Sequence, residues 1–152
     1  MGAAFFYHLT RSPIEATLPM LLSKSLQAGW RVVVRGSSAA RMEWIDAKLW
    51  LGSDEGFLPH GLSGGPFDAE QPILLTTTED NPNGAVCLMA IDGAGVSAAE
   101  CSNAERVCVV FDGNDAKALN RAREQWKELT EAGVSAQYWS EETGHWEKKA
   151  EK

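Results

Sequence analysis

The sequence predicts one three-layer α/β/α domain built on a mostly parallel sheet. Three observations carry that reading. Strand-like apolar runs alternate along the chain with stretches of helical periodicity. The run Trp30-Arg31-Val32-Val33-Val34 is continuously apolar after its arginine, which suits a strand buried on both faces. The 152 residues, 44% apolar and 23% charged, fit a single globular domain with a substantial core, and they contain no internal repeat. The domain is expected to span residues 1–146, leaving 147–152 as a charged C-terminal tail frayed beyond Trp146.

The elements follow in order. Ala3 to Leu9 (AAFFYHL) reads as a buried strand from its aromatics and its length. Ser12-Pro13-Ile14-Glu15 is a helix-start pattern, with Ser12 as N-cap, Pro13 at the first helical position and Glu15 closing a capping box. Ile14, Leu18, Leu21, Leu22 and Leu26 give that helix its apolar stripe, Pro19 predicts a bend and Gly29 ends it. After the Trp30–Val34 strand, Ser37 or Ser38 caps a helix running to about Leu51, with Met42, Ile45 and Leu49 on its core side. Trp50 falls to one side of that stripe and Trp44 nearly opposite, so each marks either a contact surface or packing against the following loop. Residues 52–71 form a long loop rich in Gly, Pro and Asp. Pro72 to Thr78 and Ala85 to Ile91 read as strands about an Asn81-Pro82-Asn83-Gly84 turn. At most a short helix fits between residues 93 and 104. Arg106 to Phe111 is a further strand, and Gln137-Tyr138-Trp139 a short final one.

The most informative stretch is Asp112 to Gly133. It opens on Asp-Gly-Asn-Asp, which offers turn chemistry and capping oxygens, and closes on a glycine suited to a left-handed cap. Leu119, Ala122, Trp126 and Leu129 recur at helical steps and form one buried stripe. Arg123 and Lys127 stand side by side on its flank next to Trp126, with Ala116 and Asn120 before them bringing no carboxylate. This is either a solvated helix face or a cationic, aromatic edge fit for an acidic and apolar partner.

Composition limits the function. A net charge of −7 and a pI near 4.9 leave no broad electrostatic footprint for DNA or RNA. Three cysteines without metal-site spacing read as buried thiols of a reducing compartment. No run is long enough to span a bilayer and no signal peptide pattern opens the chain, so a cytoplasmic location is expected. Six tryptophans are many for this length, and some are expected at a contact surface. Gly93-Ala94-Gly95-Val96-Ser97-Ala98 follows a strand and matches a dinucleotide-binding pattern, with Asp112 at the distance of a ribose-binding acid. A nucleotide-dependent enzyme is therefore one alternative. Against it stand the short span to the next strand and the acids Asp92 and Glu100, which would face a pyrophosphate. His8, His60 and His145 have no metal-ligand spacing, and no nucleophile elbow or Walker-type loop is present. His60 reads as a loop hydrogen-bonder, while Asp112 and Asp115 serve as helix caps. No catalytic, cofactor or metal site is expected.

An ordered set of short motifs carries a family resemblance. It comprises Phe6-Tyr7, Gly29-Trp30-Arg31-Val32, Leu49-Trp50 before Phe57-Leu58-Pro59-His60, and Gln71-Pro72-Ile73. Phe111-Asp112-Gly113, Ala122-Arg123 with Trp126-Lys127, and Trp146 complete it. Together, over nearly the whole chain, they resemble the chi subunit family of bacterial DNA polymerase III. The resemblance implies a nucleotide-binding-like topology without a nucleotide site, in a non-catalytic adaptor of the clamp-loader assembly. It implies that Arg123, Trp126, Lys127 and Trp50 grip the acidic C-terminal tail of single-stranded DNA-binding protein, and that Phe57 and Leu58 belong to a surface for a small psi subunit. Neither a membrane nor strong direct nucleic-acid binding is implied. The chain departs from the family pattern at Leu119, where a basic residue is usual, and at Trp126, which replaces a tyrosine. A generic interaction scaffold is the remaining alternative.

Overall fold

The structure, a computed structural model, describes residues 3–51, 59–141 and 146–152. Its strands are β1 (Ala3–Leu9), β2 (Val32–Arg35), β3 (His60–Leu62), β4 (Ile73–Thr76), β5 (Cys87–Ile91), β6 (Arg106–Asp112), β7 (Ala136–Ser140) and β8 (Glu147–Glu151). Its helices are α1 (Ile14–Gln27), α2 (Ala39–Trp50), α3 (Ala98–Asn103) and α4 (Ala116–Glu131). The strands form one sheet in the order β3-β4-β2-β5-β6-β1-β7-β8, parallel throughout except for the antiparallel β7–β8 pair.

Alternate residues of the central strands feed two separate cores. Val32, Val34, Ile73, Leu75, Met89 and Val110 pack with Leu18 and Leu22 of α1 and Met42, Ile45 and Leu49 of α2. Val33, Leu74, Leu88, Val107 and Val109 face the other way and pack with Cys101 of α3 and Ala122 and Leu129 of α4. The strands are covered on both sides, as their unbroken apolar runs require. The result is the three-layer arrangement read from the sequence. Cys87, Cys101 and Cys108 are free and buried, and burial pushes the Cys101 thiol up to about 11.

Several elements differ from expectation. Ser12 does not cap α1: its hydroxyl donates to Glu141 Oε2 at 2.9 Å, and the helix starts after Pro13 without a side-chain cap. A fixed carboxylate from across the sheet is a stronger acceptor than the local alternatives. The helix runs unbroken through Pro19. A capping box does form at α3, where Ser97 accepts from the Glu100 N–H and Glu100 accepts from the Ser97 N–H. Ser38 is the N-cap of α2. β2 ends on Arg35, whose guanidinium is 4% exposed; it donates to both oxygens of Glu100 at 3.0 and 2.6 Å and to the carbonyls of Thr78 and Gly95.

The expected loop of residues 52–71 contains β3, whose three residues pair in parallel with Ile73–Leu75. So short a strand has no period to detect. The tail, expected to fray, instead pairs as β8 along β7. The backbone groups on its inner side bond to β7 there, and Lys148–Glu151 and Lys149–Glu147 ion pairs run along the strand.

Candidate functional site

Helix α4 begins where the sequence places it. Asp115 is the N-cap, accepting from the N–H of Lys117 at 3.0 Å and of Ala118 at 3.5 Å. Ala122, Gln125 and Leu129 are the buried residues of the helix, and Leu119 and Trp126 pack half-buried beside them. Gln125 is the surprise. Its amide donates to the Ala94 carbonyl at 2.8 Å and ties α4 to the turn after β5. By spacing it belongs to the stripe, three after Ala122 and four before Leu129, but its polarity hides it from an apolar pattern.

Trp126 is held in place rather than floating. Its ring meets Phe6 edge-on at 5.3 Å and Tyr138 edge-on at 6.0 Å. The Tyr138 hydroxyl shares a 2.8 Å hydrogen bond with His8 Nδ1, and His8 lies against Phe111 at 5.2 Å. This supporting set of Phe6, His8 and Tyr138 comes from β1 and β7, adjacent parallel strands that place Phe6 beside Tyr138. Sequence reading missed it because the pairing of β1 with β7 is not visible in one dimension.

Arg123 and Lys127 are exposed on the flank of α4. Among the described residues, neither lies within ion-pair distance of a carboxylate. Arg121 points elsewhere, toward Glu124 at 3.7 Å and the Gly93 carbonyl at 3.5 Å. A cationic edge beside a half-open indole therefore stands on a molecule of net charge −7.

Trp50 does not join that edge. It ends α2, on the opposite face of the sheet, and is 56% exposed. Its ring packs at 4.4 Å on that of His60, whose Nε2 is 3.1 Å from Asp46 Oδ1. α2 crosses toward β3 and β4 at one end of the sheet, whereas α4 covers β6 and β7 toward the other. One pocket cannot be lined by both tryptophans. Phe57 and Leu58 lie outside the described residues, as does His145. Trp44 is half-buried against the α1–α2 core, with the Arg41 guanidinium 4.3 Å and the Lys48 ammonium 5.3 Å from its ring centre.

The Gly93–Ala98 segment is built for something other than a dinucleotide. Its helix has six residues, its Gly95 carbonyl is taken by Arg35, and the Glu100 carboxylate fills the helix start. Among the described residues no cluster of His, Cys, Asp and Glu could hold a metal, and no helix is long and apolar enough to cross a membrane. A crevice of about 900 Å³ lies at the carboxyl ends of β1 and β6; the first turns of α4 help line it, but Arg123, Trp126 and Lys127 are not among its lining.

Comparison with known proteins agrees with the motif set. The chain is 28% identical over 91 residues to the probable DNA polymerase III subunit chi of Rickettsia prowazekii (strain Madrid E), a stretch covering 60% of this chain and 55% of that protein. The matched stretch thus spans about half the length of that curated relative. A family model described as "DNA polymerase III chi subunit, HolC" matches residues 1–137, which hold β1 to β6 and helices α1 to α4. The chain belongs to the DNA polymerase III chi subunit family.

Proposed function

We propose that this chain is a non-catalytic accessory subunit of a DNA polymerase III assembly, and that α4 docks the acidic C-terminal tail of single-stranded DNA-binding protein. In this reading the subunit couples that protein to the clamp loader. The observation that carries it is the pair Arg123 and Lys127, exposed, one turn apart and unpaired among the described residues, beside the half-open ring of Trp126. A tail of carboxylates takes a forked guanidinium best, with a lysine assisting as a point charge. Its apolar end needs a flat apolar floor, which Trp126 offers. Capture of a terminal carboxylate is an established mode of peptide recognition. Because the protein carries a charge of −7, the attraction is confined to this edge.

Three of the four tail contacts expected from the sequence remain together in this proposal. Trp50, on the other face of the sheet against the His60 ring, is left out of it.

The test is a titration with an acidic, phenylalanine-terminated peptide, next to pull-downs with intact and tail-deleted single-stranded DNA-binding protein. Arg123→Ala is expected to weaken peptide binding by about 2 kcal/mol, roughly thirtyfold in Kd. Added salt should weaken the wild-type interaction as well, since exposed ion pairs are screened. Equal affinity of the variant and the wild type, or equal capture of the tail-deleted partner, would overturn the assignment.

A further inference from the structure

β1 and β6 are neighbours in the sheet, but their chains leave in opposite directions. β1 turns into α1 on one face and β6 into α4 on the other. Open α/β sheets bind ligands at such a switch point, outside the carboxyl ends of the strands. The crevice of about 900 Å³ lies there, with Thr10, Ser12, Asp112, Asn114 and Lys117 among its lining.

Three consecutive backbone N–H groups of the loop that leaves β1 turn instead toward the β7 side, onto a residue outside the crevice lining. Those of Thr10, Arg11 and Ser12 donate to a single oxygen, Oε1 of Glu141, at 3.1, 2.9 and 2.6 Å. The Ser12 hydroxyl donates to the other oxygen at 2.9 Å. Successive amides turned onto one point are how loops between a strand and a helix cradle phosphate groups. The oxygens here come from the residue that follows β7, and Glu141 is only 5% exposed. Burial by itself would raise the Glu141 carboxyl, but the bonds from Ser12, Arg11 and Thr10 outweigh it and hold the group below its ordinary range. Thr10 Oγ1 is buried and has no hydrogen-bond partner among the described residues.

We propose that the β1–α1 loop is an oxyanion site which the chain occupies with its own Glu141 carboxylate. The fold thus keeps a phosphate-type cradle at the carboxyl end of β1 and closes it from within. The four donors and Glu141 all lie outside α4, so this assignment stands or falls apart from tail docking.

The experiment compares thermal unfolding of the full chain and of Glu141→Ala in sodium phosphate and in sodium chloride at matched ionic strength. Wild type is expected to show only the small general rise that a kosmotropic anion gives a folded chain. Glu141→Ala should melt lower in chloride and recover by roughly 3 °C or more in phosphate, because an anion bound only by the folded state stabilises it. Acetate, the severed side chain's own head group, should rescue in the same direction. Should the alanine variant be unfolded in chloride, Glu141→Ser carries the same comparison, its hydroxyl still able to accept one amide bond. Absence of phosphate-specific or acetate-specific recovery in both variants overturns the proposal and leaves Glu141 as a loop brace only. A phosphate-dependent rise in the wild type as large as that of the variants would also overturn it, since the site would then be open.

Discussion

Glu100→Gln is expected to destabilise the protein by about 3 kcal/mol, the scale for breaking a buried ion pair and stranding one partner. The stranded partner is Arg35, 4% exposed at the end of β2. Its guanidinium presents a fork to both oxygens of Glu100, with the shorter contact at 2.6 Å. The remaining donors go to the carbonyls of Thr78 and Gly95, so no spare acceptor stands ready to replace the carboxylate. Glu100 also receives the N–H and hydroxyl of Ser97, so the substitution weakens the capping box that starts α3. The penalty should depend on pH. The hydrogen bonds from Arg35 chiefly lower the Glu100 carboxyl, burial of the group opposes them, and the Ser97 bonds add to the lowering. A carboxylate whose folded pKa lies below its unfolded value contributes stability above the unfolded value, about 4.3, and loses it as pH falls through the folded one. Urea unfolding at neutral pH and at pH values below 4 should therefore show the wild type and the glutamine variant converging toward acid. A gap between them that stays constant with pH would show that the ion pair is not its source.

Gly113→Ala should cost about 2–3 kcal/mol, as overpacking of a filled core does. A methyl group at Gly113 would overlap the ring of His8. That ring has little freedom to retreat. It is 8% exposed, lies against Phe111 at 5.2 Å, and shares its Nδ1 hydrogen bond with Tyr138. The Gly113 N–H also donates to the Leu9 carbonyl at 2.7 Å, which pins the backbone on the other side. Any shift of His8 is passed to Tyr138 and from there to Trp126, whose ring centre is 6.0 Å away. The substitution is thus expected to loosen the α4 edge as well as the fold. Tail-peptide affinity and the unfolding midpoint should both fall, whereas a midpoint within error of wild type would show that His8 has room the geometry denies it.

How far the sequence reveals this molecule depends on the range of each interaction. The two covered faces of the sheet were legible because Val32, Val33 and Val34 carry their message in consecutive residues. Helix α4 was legible because Asp115, the apolar stripe and Gly133 lie within a few turns of one another. Ser12 misled for the opposite reason. A local capping pattern competed with Glu141, separated from it by 129 residues and brought beside it only by the pairing of β1 with β7. The same limit explains Trp50. Its position off the core stripe was visible, but the face of the sheet on which it stands is set by the handedness of two crossovers. Gln125 escaped because burial of a polar side chain is decided by a single acceptor, the Ala94 carbonyl, that no periodicity announces.

The strand at residues 147–151 has a bearing on how copies of this protein meet one another. An open β edge is a template for an incoming chain, and long apolar edges polymerise. Here the outermost rung is Glu-Lys-Lys-Ala-Glu, with its charges already matched along the strand at 3.4 and 3.1 Å. A second molecule adding on at that border would have to strip water from four ionised groups while finding no apolar surface in return. The border is thereby inhospitable to stacking by further copies.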